Sequence, residues 1–185
     1  MKLKEYVEIK YPDALNAIRH SESAKDVTEL TDYEKAIIYK YTDDGYVVNE
    51  TLRDSKGVKV PEFAHHLNTV LAKLPPLSDG EVVVYRGIFK TNFVLNQYKK
   101  ALNEKTILTE YGFLSTTQSK KVASQFGQVL LIIFSKNGKP IGNLSKFGTH
   151  SATNEQEILF QSGTQFNVLD IEEDANNAVI ILKEL

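Results

Sequence analysis

Hydrophobic periodicity changes once along this chain, at Pro75-Pro76. Before it, apolar side chains recur at helical spacing. Thr31-Asp-Tyr-Glu34 is a capping box, with an N-cap hydroxyl and a carboxylate three residues on, and it opens a helix through Ala36, Ile37, Ile38 and Tyr39. Residues 3 to 20 show weaker helical spacing interrupted at Pro12, and Tyr46 to Arg53 form a short helix after Gly45. Pro61 suits a first helical turn, and Phe63, Leu67, Val70, Leu71 and Leu74 line one stripe below it. Beyond Asp79-Gly80 the apolar residues come in short runs bounded by turn residues, which read as strands: Val82–Tyr85, Gly112–Thr117, Val129–Phe134, Ile141–Leu144, Glu155–Phe160, Gln165–Ile171 and Ala178–Leu182. Two helices interrupt them, Asn92–Leu102 and Ser119–Phe126. Helices gathered in front of strands argue α+β: one domain over 1–185, mainly helical in 1–75 and mainly β in 80–185.

Composition narrows the function classes. The 185 residues carry a net charge of −2, so no global field recruits nucleic acid or an anionic membrane, and neither is expected as a partner. The absence of cysteine excludes disulfides, thiolate metal sites and a thiol nucleophile. The N-terminus lacks the apolar core of a signal peptide, and no run approaches a membrane span. No metal site is expected, because His65 and His66 are adjacent rather than three or four residues apart on a helix face. His20 and His150 have no partner in sequence, and all four histidines are expected to be solvated.

Three polar features sit at strand ends. Arg86 follows an all-apolar run, and its rigid fork suits phosphate. Ser115-Thr116-Thr117 places three hydroxyls in a row. Glu155 and Glu157, one residue apart on a strand, would share a face with Cβ atoms roughly 6 to 7 Å apart. Two glutamates alone fit an edge strand facing water. With an arginine and a hydroxyl strand beside them, they can hold an anion, position an acid and stabilise a developing cation.

In this order the features resemble mono-ADP-ribosyltransferases of the arginine–serine–glutamate class, most closely the bacterial group of actin-modifying binary toxins and Rho-modifying exoenzymes. Tyr41-Thr-Asp-Asp-Gly-Tyr-Val-Val-Asn49-Glu-Thr-Leu-Arg53 is similar to that group's N-terminal signature. Val84-Tyr85-Arg86-Gly87 resembles its arginine strand, and Phe113-Leu-Ser115-Thr116-Thr117 its Ser-Thr-Ser strand with threonine last. Glu155-Gln156-Glu157 matches its Glu-x-Glu form.

The resemblance implies two roughly perpendicular antiparallel sheets around an NAD cleft, with helices at one side and NAD as co-substrate. It assigns Arg86 to the NAD phosphates with Arg53 as a second candidate, and Gly87 to the nicotinamide amide. Asn49 and Thr116, in the same motifs, are further candidates for NAD contact. Ser115 would position Glu157, the catalytic carboxylate on the nicotinamide ribose, and Phe126 would stack on nicotinamide. Glu155 would orient an acceptor arginine of a protein target, and Phe147, near the start of the 148–154 loop, would meet that target. A monomeric toxin or effector acting in a cytoplasm is expected. Val129 stands where the Rho-modifying group has an arginine, which shifts phosphate binding toward Arg53, Lys120 or Lys121.

Rival readings use the same residues. Water as acceptor makes an NAD glycohydrolase. Two carboxylates at this spacing fit an inverting glycosidase, although sugars need no phosphate clamp. A degenerate member would serve only as a binding module.

Overall fold

The computed structural model describes every residue except His150 and Thr153, so the expectation for His150 lies outside the described residues. The capping box forms as the sequence dictates. Thr31 Oγ1 accepts from the Glu34 amide, the Glu34 carboxylate accepts from the Thr31 amide at 2.8 Å, and helix α3 (Asp32–Asp44) follows. Pro12 separates α1 (Leu3–Lys10) from α2 (Pro12–Arg19), since a proline is tolerated in a first turn but not inside a helix. Helix α4 (Tyr46–Asp54) and helix α5 (Glu62–Leu71) complete the front of the chain. These helices bury Val7, Ile37, Ile38, Leu52, Leu67 and Leu71 against one another, and Phe113 and Leu159 from the sheet join that core.

Strands β1 (Val82–Ile88), β2 (Leu108–Glu110), β3 (Leu114–Thr117), β4 (Val129–Ser135), β5 (Lys139–Pro140), β6 (Glu157–Phe160), β7 (Thr164–Glu173) and β8 (Ala178–Glu184) follow, with helices α6 (Asn92–Glu104) and α7 (Lys120–Ala123) between them. The hydrogen-bonded order is β2-β7-β8-β4-β1-β3-β6-β5. β1 pairs with β4 over seven residues but with β3 only at Tyr85↔Thr117, so the ladder is nearly interrupted there. Five strands lie on one side of that junction and three on the other. A second core, under α6, is built from alternate residues of β4 and β8 such as Leu131, Ile133, Ile180 and Leu182.

The α+β architecture agrees with the change of period, with several local corrections. β4 and β8 run parallel, so the pairing is not antiparallel throughout. Ile141–Leu144 is not a strand. The amides of Leu144 and Ser145 both turn back to the Ile141 carbonyl, at 2.8 and 2.9 Å, which lets Ile141 and Leu144 both reach the helical core. Strand β6 starts at Glu157, two residues later than its apolar run suggested. His66 is not solvated: its ring lies 4.9 Å from that of Tyr6, and its Nε2 is buried without a hydrogen-bond partner among the described residues.

Candidate active site

The junction between β1 and β3 opens a cleft of about 310 Å³ lined by Arg86, Gly87, Ser115, Thr116, Phe126 and Glu155, together with Tyr85, Phe89 and Ala123. Six residues singled out in the sequence therefore meet in one place. The strands do the positioning. Arg86 Nη1 donates to the Ser115 carbonyl at 2.5 Å, so its fork is held across the gap where β1 and β3 diverge, and its remaining donors serve the cleft.

The three hydroxyls of β3 have separate tasks. Ser115 donates to Glu157 Oε1, and Thr116 donates to the Ile158 carbonyl at 2.8 Å, which locks β3 to β6. Thr117 Oγ1 accepts from the Ser119 amide at 3.0 Å and shapes the turn into α7. Ser119 then caps α7 by accepting from the Val122 amide. Helix α7 lies directly on the arginine strand, because a Cβ on Gly87 would come within 1.9 Å of the Ala123 carbonyl oxygen. Only glycine permits that approach. Phe126 follows α7 at the cleft mouth and remains half exposed.

Glu157 is almost fully buried behind Ser115. Ser145 donates to its other oxygen, Oε2, at 2.8 Å. Burial pushes the Glu157 carboxyl above its ordinary value, while the two hydroxyls and the Arg86 charge pull it down. Glu155 is only partly buried and lines the cleft, and burial together with the Glu157 charge raises its carboxyl as well. The common strand face expected for these two acids does not exist. Glu155 lies ahead of β6, between Asn154 and Gln156 with φ of 31° and 47°. Its amide instead donates to the Phe147 carbonyl at 3.0 Å, so the loop that follows Phe147 carries it.

Four of the named residues are not among those lining the cleft: Glu157, which sits buried behind Ser115, and Asn49, Arg53 and Phe147. Asn49 Oδ1 accepts from the Phe113 amide at 2.8 Å, and its Nδ2 donates to the Tyr41 hydroxyl at 3.0 Å. It thus ties α3 and α4 to the start of β3. Burial raises the Tyr41 phenol to about 12, so it stays protonated. Arg53 Nε donates to Glu110 Oε1 at 2.8 Å, and that oxygen also accepts from the Gly112 amide at 2.7 Å. Phe147 is exposed on the loop with Lys146 Nζ 5.9 Å from its ring centre. Val129 is fully buried at the start of β4, so no charge could stand there without rearrangement. Sequence reasoning missed Ser145 and Phe89. Nothing local marks the first, and the second carried only its position two residues past Gly87.

A family profile described as ADP-ribosyltransferase exoenzyme matches residues 19–185. The chain belongs to the ADP-ribosyltransferase exoenzyme family. Among curated relatives of this exoenzyme chain is the NAD(+)–protein-arginine ADP-ribosyltransferase Tre1 of Pseudomonas putida, 31% identical over 160 residues, covering 84% of this chain and 30% of the relative. The Tre1 protein of Serratia proteamaculans is 29% identical over 162 residues, covering 85% and 33%. The exoenzyme chain thus spans about a third of the length of these relatives. Exoenzyme S of Pseudomonas aeruginosa, solved with human 14-3-3 protein beta and carba-NAD, shares the fold at a TM-score of 0.77 and 20% identity, covering 98% of this chain and 86% of that one.

Proposed function

We propose that this exoenzyme-family chain transfers ADP-ribose from NAD to an arginine side chain of a protein. The observation that carries the proposal is the arrangement of two unequal carboxylates: Glu157 buried and held by two serine hydroxyls, and Glu155 at the cleft with its carboxyl raised. The cleft is within the size range of small-molecule sites, about 300–1,000 Å³. Its arginine, its exposed Phe126 ring and its close strand–helix contact at Gly87 suit an anionic, aromatic-bearing dinucleotide.

NAD supplies the ADP-ribosyl group and nicotinamide as leaving group. The bond between the ribose carbon and the nicotinamide nitrogen breaks, and its electron pair leaves with nicotinamide. The same carbon then bonds to a guanidinium nitrogen, and one proton is released. Ionised Glu157 stabilises positive charge as it develops on the ribose, and its own burial keeps most water from screening it. Arg86 binds phosphate, and Ser115 keeps Glu157 in place. Glu155 orients the guanidinium and takes up the released proton. Its raised carboxyl makes it the better base.

The arginine, Ser-Thr-Thr and Glu-x-Glu motifs, which resemble those of the actin- and Rho-modifying group, support this reading, with residues 1–185 acting as a single catalytic domain. That domain works as a monomeric toxin or effector in a target cytoplasm, on a protein rather than a nucleic acid. Arg53 serves as a second phosphate contact once Glu110 releases it. NAD hydrolysis is the second reading, favoured by the access that the open cleft gives to water. Incubating target-cell lysate with isotope-labelled NAD and mapping modified peptides tests the proposal. ADP-ribose on arginine is expected; label on another side chain, or free ADP-ribose alone, would contradict it.

A further inference from the structure

The turn that replaced the expected Ile141–Leu144 strand carries Ser145, which the assigned motifs do not use. The turn is anchored on the catalytic strand itself, since the Ile141 amide donates to the Glu157 carbonyl at 3.0 Å. Ser145 has one hydroxyl proton, and it goes to Glu157 Oε2 at 2.8 Å. Its oxygen accepts from the Phe147 amide at 3.2 Å. The Phe147 carbonyl in turn accepts from the Glu155 amide at 3.0 Å. One relay of hydrogen bonds thus runs from the buried carboxylate, through a hydroxyl, to the backbone that presents Phe147 and Glu155. The loop has little freedom at its base, because a Cβ on Gly148 would lie 1.7 Å from the Gly142 carbonyl oxygen.

We infer that Ser145 is a positioning residue that fixes the second oxygen of Glu157 and couples that carboxylate to the conformation of the target-reading loop. The inference rests on the proposed transferase reading for its functional meaning, and on geometry for the coupling itself. An amide donating into the Ser145 oxygen polarises its O–H and strengthens the bond to the carboxylate. A loop that shifts Phe147 therefore weakens the hold on Glu157, and a target that seats the loop strengthens it. Ser115 alone would leave Oε2 without that donor. Among the described residues, the charged or titratable groups that act on Glu157 are Arg86 of β1, Glu155 of the loop and Tyr41 of α3, and none of these belongs to the turn that carries Ser145.

The test is titration of the Glu157 side chain by carbon NMR, using protein labelled at glutamate carboxyls and assigned with Glu157→Gln. Ser145→Ala is expected to move the Glu157 midpoint to higher pH, because a donor to the charged form is lost. Ser145→Thr, which keeps the hydroxyl, is expected to restore it. In parallel, Ser145→Ala is expected to lower kcat for nicotinamide release on the order of tenfold with KM for NAD little changed, the loss of one hydrogen bond to a charged group. An unchanged midpoint, or a shift that threonine fails to reverse, would overturn the inference. If the wild-type protein released no nicotinamide, the transferase reading would fail, and the midpoints would still decide the role of Ser145.

Discussion

Ser115 donates its hydroxyl to Glu157 while its own carbonyl accepts from Arg86, so one residue of β3 aligns both the cleft arginine and the buried acid. The alignment depends on β1 and β3 meeting at one pair and then diverging.

Burial holds the Glu157 carboxyl above its ordinary 4.5. Since only the ionised form stabilises a developing cation, the rate of nicotinamide release falls toward acid pH with a midpoint above 4.5. Ser115→Ala removes a donor to the ionised form and moves that limb further up in pH. A pH–rate profile of both proteins checks the direction.

The same group costs stability. A folded-state value above the unfolded one means that the native state binds the proton more tightly. The contribution of this one group to stability is therefore fullest below 4.5 and declines as pH rises through the folded value. Glu157→Gln keeps an amide able to bond both serines and carries no buried charge. The variant is expected to be inactive yet to melt higher than wild type at pH 7, by about 2–4 °C for each kcal/mol gained. The gain should shrink as pH falls toward 4.5, as calorimetry across pH would show.

Gly87→Ala places a methyl 1.9 Å from the Ala123 carbonyl oxygen, so α7 must move. A loss of about 1–3 kcal/mol in urea unfolding is expected, with weaker NAD binding. Gly80→Ala meets nothing within 4 Å and serves as the neutral control.

Asn49 and Arg53 sit one helical turn apart in α4 yet should behave differently. Asn49→Ala leaves the buried Tyr41 hydroxyl and the Phe113 amide short of a partner, at a cost of about 1–3 kcal/mol. Arg53→Ala breaks a half-exposed ion pair worth about 1 kcal/mol or less. Denaturant unfolding of both variants, beside NAD affinity, separates a clamp from a phosphate ligand.

What could be read in the sequence was local. The Thr31–Glu34 box, the proline breaks and the apolar run at Val82 each carry their structure within a few residues. β2 and β5, of three and two residues, are too short to show a period. The parallel pairing of β4 with β8 joins segments that alternate buried and half-buried residues alike, and nothing in that alternation names the partner or its direction. At the site, Arg86, Ser115 and Glu157 stand out in the sequence only through the order of the motifs that carry them, since an arginine, a hydroxyl or an acid at a strand end is ordinary by itself. Glu155 was placed on the wrong element. Positive φ at Asn154 and Gln156 lifts it off β6, and a polar loop does not announce such a bend. Ser145 looked like any serine because its partner lies 12 residues away.

The division of labour between the two glutamates is tested most directly by paired assays on Glu155→Gln and Glu157→Gln, following nicotinamide release and transfer to an arginine acceptor together. Glu157→Gln is expected to lose both, and Glu155→Gln to lose transfer while keeping much of the hydrolysis. Full transfer to arginine by Glu155→Gln would contradict the role assigned to the loop-borne acid.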